Sequence, residues 1–146
     1  MYFFDEINEL EYLYLISTVE PIDNQLLITI KAATVLAQEE DLFIAYKNLG
    51  TVKQVLLDGP GKEYEFHFNT YVTYSIVNES FSYFNDSEER IGRLFCIYSK
   101  SNYLDFVKSN TIAEFVLEAE IKHYAINCLN HIINIASIEE PIVTRS

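Results

Sequence analysis

The side chains in this sequence that could carry chemistry are few. They are His67, His123 and His131, the thiols of Cys96 and Cys128, and a large excess of carboxylates. His123, Cys128 and His131 cluster in sequence, the beginning of a metal-ligand set. A structural zinc site needs four ligands converging at about 2.0 to 2.3 Å. In a β-hairpin, however, His123 and Cys128 have opposite parity and face opposite sides. No Cys-x-x-Cys or His-x-x-x-His pair supplies the remaining ligands, so no metal is expected. A cysteine nucleophile would need a base and an orienting group, and Cys128, His131 and Asp105 can be written as such a set. Ile126, Leu129, Ile132 and Ile133 around the thiol instead predict a buried, inert cysteine. With only four glycines, the chain has no Gly-x-Ser-x-Gly elbow, phosphate-binding loop or dinucleotide fingerprint. Carboxylate pairs could serve acid–base catalysis, but Glu39-Glu40-Asp41 and Glu88-Glu89 read as solvated loop charges. The expectation is a protein without catalytic residues or cofactor, and not an enzyme.

Charge points to a class of partner. A formal net charge of −12 argues against nucleic acid, because binding a phosphate backbone draws on Lys and Arg to release counterions. The stretch from Tyr98 to Asp105 mixes aromatic and cationic groups. Around it only Arg90, Arg93, Lys100 and Lys108 are positive, too few for a stacking platform. Residues 1–46 hold Asp5, Glu6, Glu9, Glu11, Glu20, Asp23, Glu39, Glu40 and Asp41 against Lys31 alone. This asymmetry serves solubility, and it is also the pattern of an acidic face that steers a basic partner. Glu9, Glu11, Asp23, Glu39, Glu40 and Asp41 are the candidate partner-binding residues.

These groups must be held by a fold, and the composition supports one. The 146 residues are 49% hydrophobic and 14% aromatic, enough to offset the entropy of ordering. Residues 1–146 read as a single domain, with no linker, low-complexity segment or repeat. No apolar stretch approaches the roughly 20 residues that cross a bilayer. The start, Met1-Tyr2-Phe3-Phe4-Asp5-Glu6, lacks the positive region of a secretion signal. A cytoplasmic protein with two reduced core thiols is expected.

With 11 Tyr and 10 Phe beside many Ile and Val, the bulky residues suit a pleated surface. Tyr64, Phe66, Phe68, Val72, Tyr74 and Ile76 share one parity, predicting a long strand over Lys62 to Asn78 with that side buried. Asp58-Gly59-Pro60-Gly61 before it is a turn signal, with Gln54 to Leu57 as the strand feeding it. Tyr12 to Val19 and Gln25 to Val35 flank a Pro/Asp/Asn cluster and read as a hairpin. Phe3, Ile7, Leu10 and Tyr14 have helical spacing, predicting a short N-terminal helix. Arg93 to Ser99 reads as a doubly buried strand, and Ser101 as the N-cap of a helix over Asn102 to Ser109. Between Leu117 and Ile138 helical and strand templates both match. The isoleucines and the weak helix formers Asn127, Asn130 and Asn134 favour a hairpin of Lys122 to Cys128 with His131 to Ile138. The tail from Glu140 is expected to be frayed or extended.

Two segments carry a resemblance: Phe95-Cys96-Ile97-Tyr98-Ser99-Lys100-Ser101-Asn102-Tyr103-Leu104-Asp105, and His123-Tyr124 followed by Cys128-Leu129-Asn130-His131-Ile132-Ile133. Across roughly residues 62 to 141 the chain resembles a family of small acidic proteins of Gram-positive bacteria. Members of that family occur near secreted polymorphic toxin genes. The resemblance implies an immunity role and an acidic residue in relatives at the position of Asn134. It carries over no catalytic residue.

The expected fold is α+β, mainly an antiparallel sheet of five to seven strands with one or two helices on one face. The expected function is that of a non-enzymatic immunity protein, monomeric or homodimeric, that occludes a cognate toxin such as a nuclease. It uses neither nucleic acid nor membrane as partner. The alternative is an intracellular adaptor or oligomer-forming protein in which exposed tyrosines such as Tyr71 bind.

Overall fold

The computed structural model describes residues 3–44, 47–57 and 62–146, with side chains described for 3–35, 57 and 62–146. The Asp58-Gly59-Pro60-Gly61 turn signal lies outside the described residues.

The chain opens with helix α1 (Phe4–Glu9), whose Ile7 is fully buried. Strands β1 (Tyr12–Val19) and β2 (Leu26–Ile44) form the predicted hairpin, with Tyr12 opposite Ala33 and Val19 opposite Leu27. Asn24 in the connection takes a left-handed φ of 67°, a conformation asparagine tolerates better than most residues. Along the other edge of β2 the chain returns in two pieces, β3 (Lys47–Leu57) and β4 (Glu63–Phe68), with Leu57 opposite Ala33 and Glu63 opposite Lys31.

A second antiparallel sheet follows. It comprises β5 (Thr73–Asn78), β6 (Glu89–Ile91), β7 (Phe95–Lys100), β8 (Lys122–Asn127) and β9 (His131–Ser137), ordered β5-β9-β8-β7-β6. Strand β10 (Ile142–Arg145) then returns to the first sheet and pairs with β4. The class is α+β and antiparallel, as expected. Among the described residues ten strands form two five-stranded sheets, however, not one sheet of five to seven.

The sheets pack face to face. Leu26, Ile28 and Ile30 of β2, Tyr64, Phe66 and Phe68 of β4 and Val143 of β10 meet Phe95, Tyr124, Ile126, Ile133 and Ile135 of the second sheet. Phe66 meets Phe95 edge-on with ring centroids 4.8 Å apart, and Phe68 meets Tyr124 at 5.7 Å. Cys96 and Cys128 are free and buried. Helix α2 (Asn102–Asn110) lies on the far side of the second sheet, where Leu104 and Val107 pack with Ile121 and Ala136. A short helix α3 (Ala113–Leu117) follows it. Among the described residues no helix is long and apolar enough to cross a membrane.

Two expectations are corrected here. Lys62 to Asn78 is not one strand, because the chain leaves the first sheet after Phe68 and enters the second at Thr73. Residues 39–41 are not a loop, since their backbone runs within β2 opposite Lys53, Val52 and Thr51. The tail takes the extended alternative: Ile142 to Arg145 pair with His67 to Tyr64, and Ser146 N–H donates to Glu63 O. The parity of β4 nevertheless holds, with Phe66 buried and His67 turned toward Gln25, its Nε2 3.2 Å from Oε1. Phe66→Ala is expected to cost about 3 to 5 kcal/mol and His67→Ala under about 1 kcal/mol. Urea unfolding of the two variants checks this, and equal losses would reverse the assignment of faces.

The junction between α1 and the second sheet is built around one amide. Asn8 Oδ1 accepts the backbone N–H groups of Arg93, Leu94 and Phe95 at 2.8, 2.8 and 3.0 Å. Its Nδ2 donates to the carbonyls of Phe4 and Phe95. The Arg93 guanidinium reaches back to the carbonyls of Leu10 and Glu11. Gly92, between β6 and β7, has φ +89°.

Candidate functional site

Side chains of the second sheet that point away from the sandwich include Cys96, Tyr98, His123, Asn127, Ile132 and Asn134, with Thr73, Ser75 and Val77 at the β5 edge. Part of this face is covered by α2. The rest is the floor of an open cleft of about 570 Å³. Its walls are Tyr103 at the start of α2, Glu88 and Arg90 at β6, and the connection after β5. That connection begins with a 3-10 turn, Glu79–Phe81, where Asn78 Oδ1 accepts from Ser80 N–H. It is held again where Asn85 Oδ1 accepts from Ser87 N–H and Oγ.

His123 lies beneath the cleft and is 2% exposed. Ser101 caps α2 by accepting Leu104 N–H at 3.0 Å, and its Oγ is 2.7 Å from His123 Nδ1. On the other side Nε2 is 2.8 Å from Asn134 Oδ1. An amide oxygen only accepts, so Nε2 carries the proton and Ser101 donates its hydroxyl hydrogen to Nδ1. The imidazole stacks on Tyr98, with centroids 4.4 Å apart and planes 11° from parallel, and meets Tyr103 at 4.8 Å.

Burial lowers the His123 pKa, partly offset by Asn134 and by the charge of Glu88. The ring is therefore held neutral. The hydroxyl–imidazole–amide chain resembles a hydrolytic triad only on paper. Ser101 is itself buried, its oxygen serves the helix cap, and the third member is a neutral amide that cannot stabilise an imidazolium as a carboxylate does. The chain's role is to fix α2, β8 and β9 relative to one another.

Because the folded-state pKa lies below the unfolded value, the unfolded chain binds this proton first as pH falls. Stability is therefore full above about pH 6.5 and declines as pH falls below it toward the folded pKa. Urea unfolding at pH 7.5 and 5.5 should show this loss in the native protein and a smaller one in His123→Gln. Equal pH dependence in both would remove His123 as its source.

Arg90 joins its wall to the floor: Nη1 donates to the Tyr98 hydroxyl at 3.2 Å, and the guanidinium carbon lies 5.9 Å from the Tyr98 ring centre. Glu88 Oε2 accepts Asn102 N–H at 2.8 Å, tying β6 to the start of α2. The Tyr103 hydroxyl points toward Thr73 and Ser75 without closing a hydrogen bond. Over the cleft stand Phe81, Tyr83 and Phe84, which are 81%, 85% and 72% exposed. Isolated exposed apolar residues are ordinary, but clustered ones rimmed by polar groups mark interaction surfaces.

The candidates from sequence are placed elsewhere. Glu9 ends α1 and Glu11 precedes β1, whereas Asp23 lies beyond the far end of that strand. Eight residues of strand separate them, roughly 26 Å, so these exposed carboxylates do not form one patch. The side chains of Glu39, Glu40 and Asp41 lie outside the described residues. Cys128 is buried in the inter-sheet core, where desolvation pushes its thiol up to about 12. Asp105 is on α2, across the second sheet, so the Cys128–His131–Asp105 set is not assembled.

His123 is buried and bonded on both ring nitrogens. Among the described residues no three His, Cys, Asp or Glu side chains converge. Tyr71 donates its hydroxyl to Glu20 and packs edge-on against Tyr74 at 5.1 Å, so it is already engaged within the chain. The aromatic run from Phe81 to Phe84 escaped the sequence reading, although three rings directly before the polar Asn85–Glu89 stretch were a legible signal. No family model, characterised protein or solved structure matches the chain.

Proposed function

We propose that this protein is a non-enzymatic binding protein that neutralises a cognate protein toxin by occluding it. The observation that supports the reading is the row of exposed rings, Phe81, Tyr83 and Phe84, standing over the cleft. Aromatic side chains dominate the energetics of protein interfaces, and leaving three in water is costly unless something covers them. The net charge of −12 favours a basic partner and accelerates encounter with it. The decisive experiment expresses the protein with a candidate toxin encoded beside its gene and scores cell survival and co-purification. Protection should fall by about tenfold or more in Tyr83→Ala/Phe84→Ala, since central aromatic anchors typically contribute 2 kcal/mol or more. Absence of binding at low salt would end the proposal.

A second reading, self-association or assembly on a host protein, is favoured by a different surface. Phe106 on α2 and Ile112, Phe115 and Val116 around α3 are also exposed. Concentration-dependent sedimentation that Phe115→Ser abolishes would support it.

A further inference from the structure

We propose that the cleft over the second sheet receives a basic side chain, arginine or lysine, projecting from the partner protein. The proposal rests on the partner-binding function above and names the chemistry its site selects. Tyr98 and Tyr103 line the inner part of the cleft, and Phe81, Tyr83 and Phe84 its outer lip. Ring faces attract cations, most strongly where water is excluded, and they also cover the aliphatic stem of Lys or Arg. The cleft already holds one such group, because Arg90 lies over the Tyr98 ring and donates to its hydroxyl.

Charge on the walls matches a second cation. Two carboxylates, Asp86 and Glu88, line the cleft against the single guanidinium of Arg90, and Glu89 stands opposite Lys100 across the β6–β7 pair. Asp86 lines the cleft and makes no ion pair among the described residues. Asn127 turns its Nδ2 to the carbonyl of Arg93 and to Cys96 Sγ. Its Oδ1 remains available to a guanidinium or ammonium donor. A neutral saccharide could also use ring faces and carboxamides, but it would gain nothing from Asp86. Acidic ligands would meet Asp86 and Glu88 unfavourably.

The test titrates the ¹⁵N-labelled full chain with three probes: the hexapeptide Gly-Arg-Gly-Arg-Gly-Arg, its Gly-Glu counterpart, and maltohexaose. The expected result is saturable shifts from the arginine peptide at amides of residues 81–90, 98, 102–103 and 127. Its affinity should weaken about tenfold in Tyr83→Ala/Phe84→Ala and about threefold in Asp86→Asn. These side chains are at the surface, and circular dichroism verifies that the variants keep the fold. Four outcomes overturn the proposal: an equal response to the glutamate peptide, a stronger response to maltohexaose, shifts spread over the whole acidic surface, or unchanged affinity in the double variant.

Partner capture is scored separately. A double variant that loses the peptide but holds the toxin overturns the cleft's role and leaves the immunity function standing. A native protein that binds the peptide but no toxin overturns that function and leaves the cleft's selectivity intact.

Discussion

Gly92→Ala is expected to destabilise the protein by about 3 to 5 kcal/mol, more than any surface substitution. Two causes act together. At φ +89° the backbone is in a region that residues with a Cβ rarely adopt. A methyl group there would also collide with the carbonyl oxygen of Phe95 and come within 3.1 Å of Phe4 Cζ. Neither neighbour can yield cheaply. The Phe95 carbonyl accepts from Asn8 Nδ2, and the Phe95 ring is fully buried against Phe66, Phe4 and Tyr124. Urea unfolding measures the loss. A variant within about 1 kcal/mol of the native protein would mean that the β6–β7 turn relaxes freely.

Asn8→Ala should cost about 3 kcal/mol or more. It strips three backbone N–H groups of their common acceptor and two carbonyls of a donor, and each buried polar group left unpaired costs about 1 to 3 kcal/mol. Water can reach part of the site at Arg93, which keeps the total below the simple sum. Asn8→Asp separates the two halves of the arrangement. A carboxylate still accepts from Arg93, Leu94 and Phe95 but faces the carbonyls of Phe4 and Phe95 with no donor. It should therefore recover part of the stability lost in the alanine variant. A loss under about 1 kcal/mol in Asn8→Ala would remove the amide from its place as the anchor of α1. Because Asn8 and Gly92 act on the same turn, their combined effect should be smaller than additive.

Much of the fold was legible because local rules and tertiary packing agree. Ser101 caps α2 through its own oxygen, and the Pro21–Asn24 cluster turns β1 into β2. The weak helix formers beyond residue 121 do lie in the hairpin of β8 and β9. The division into two sheets was not legible, for a definite reason. Phe68 and Tyr74 belong to facing sheets, yet both share one parity and point into the core between them, so periodicity alone cannot register the crossing, at which Tyr71 packs on that core and Val72, expected there, packs instead with the cluster under α2. The site was hidden by a similar limit. In sequence His123 falls beside Cys128 and His131, whereas its two partners, Ser101 and Asn134, are brought to it by a helix cap and by register. The acidic candidates share a sign but not a location, and summed charge contains no distances.

The placement of β10 orders events on the ribosome. β1 to β4 are complete once residue 68 has been made, but the outer edge of β4 finds its partner only at residues 142–145. From 68 to 145 is 77 residues, about 4 to 15 seconds of synthesis. In that interval every strand of the second sheet is made, while β4 presents an open edge, the kind of edge that recruits strands from other chains. Slow decoding or release near the end of the message should therefore favour aggregation of nascent chains, and a few added charges on β4's outward positions should relieve it.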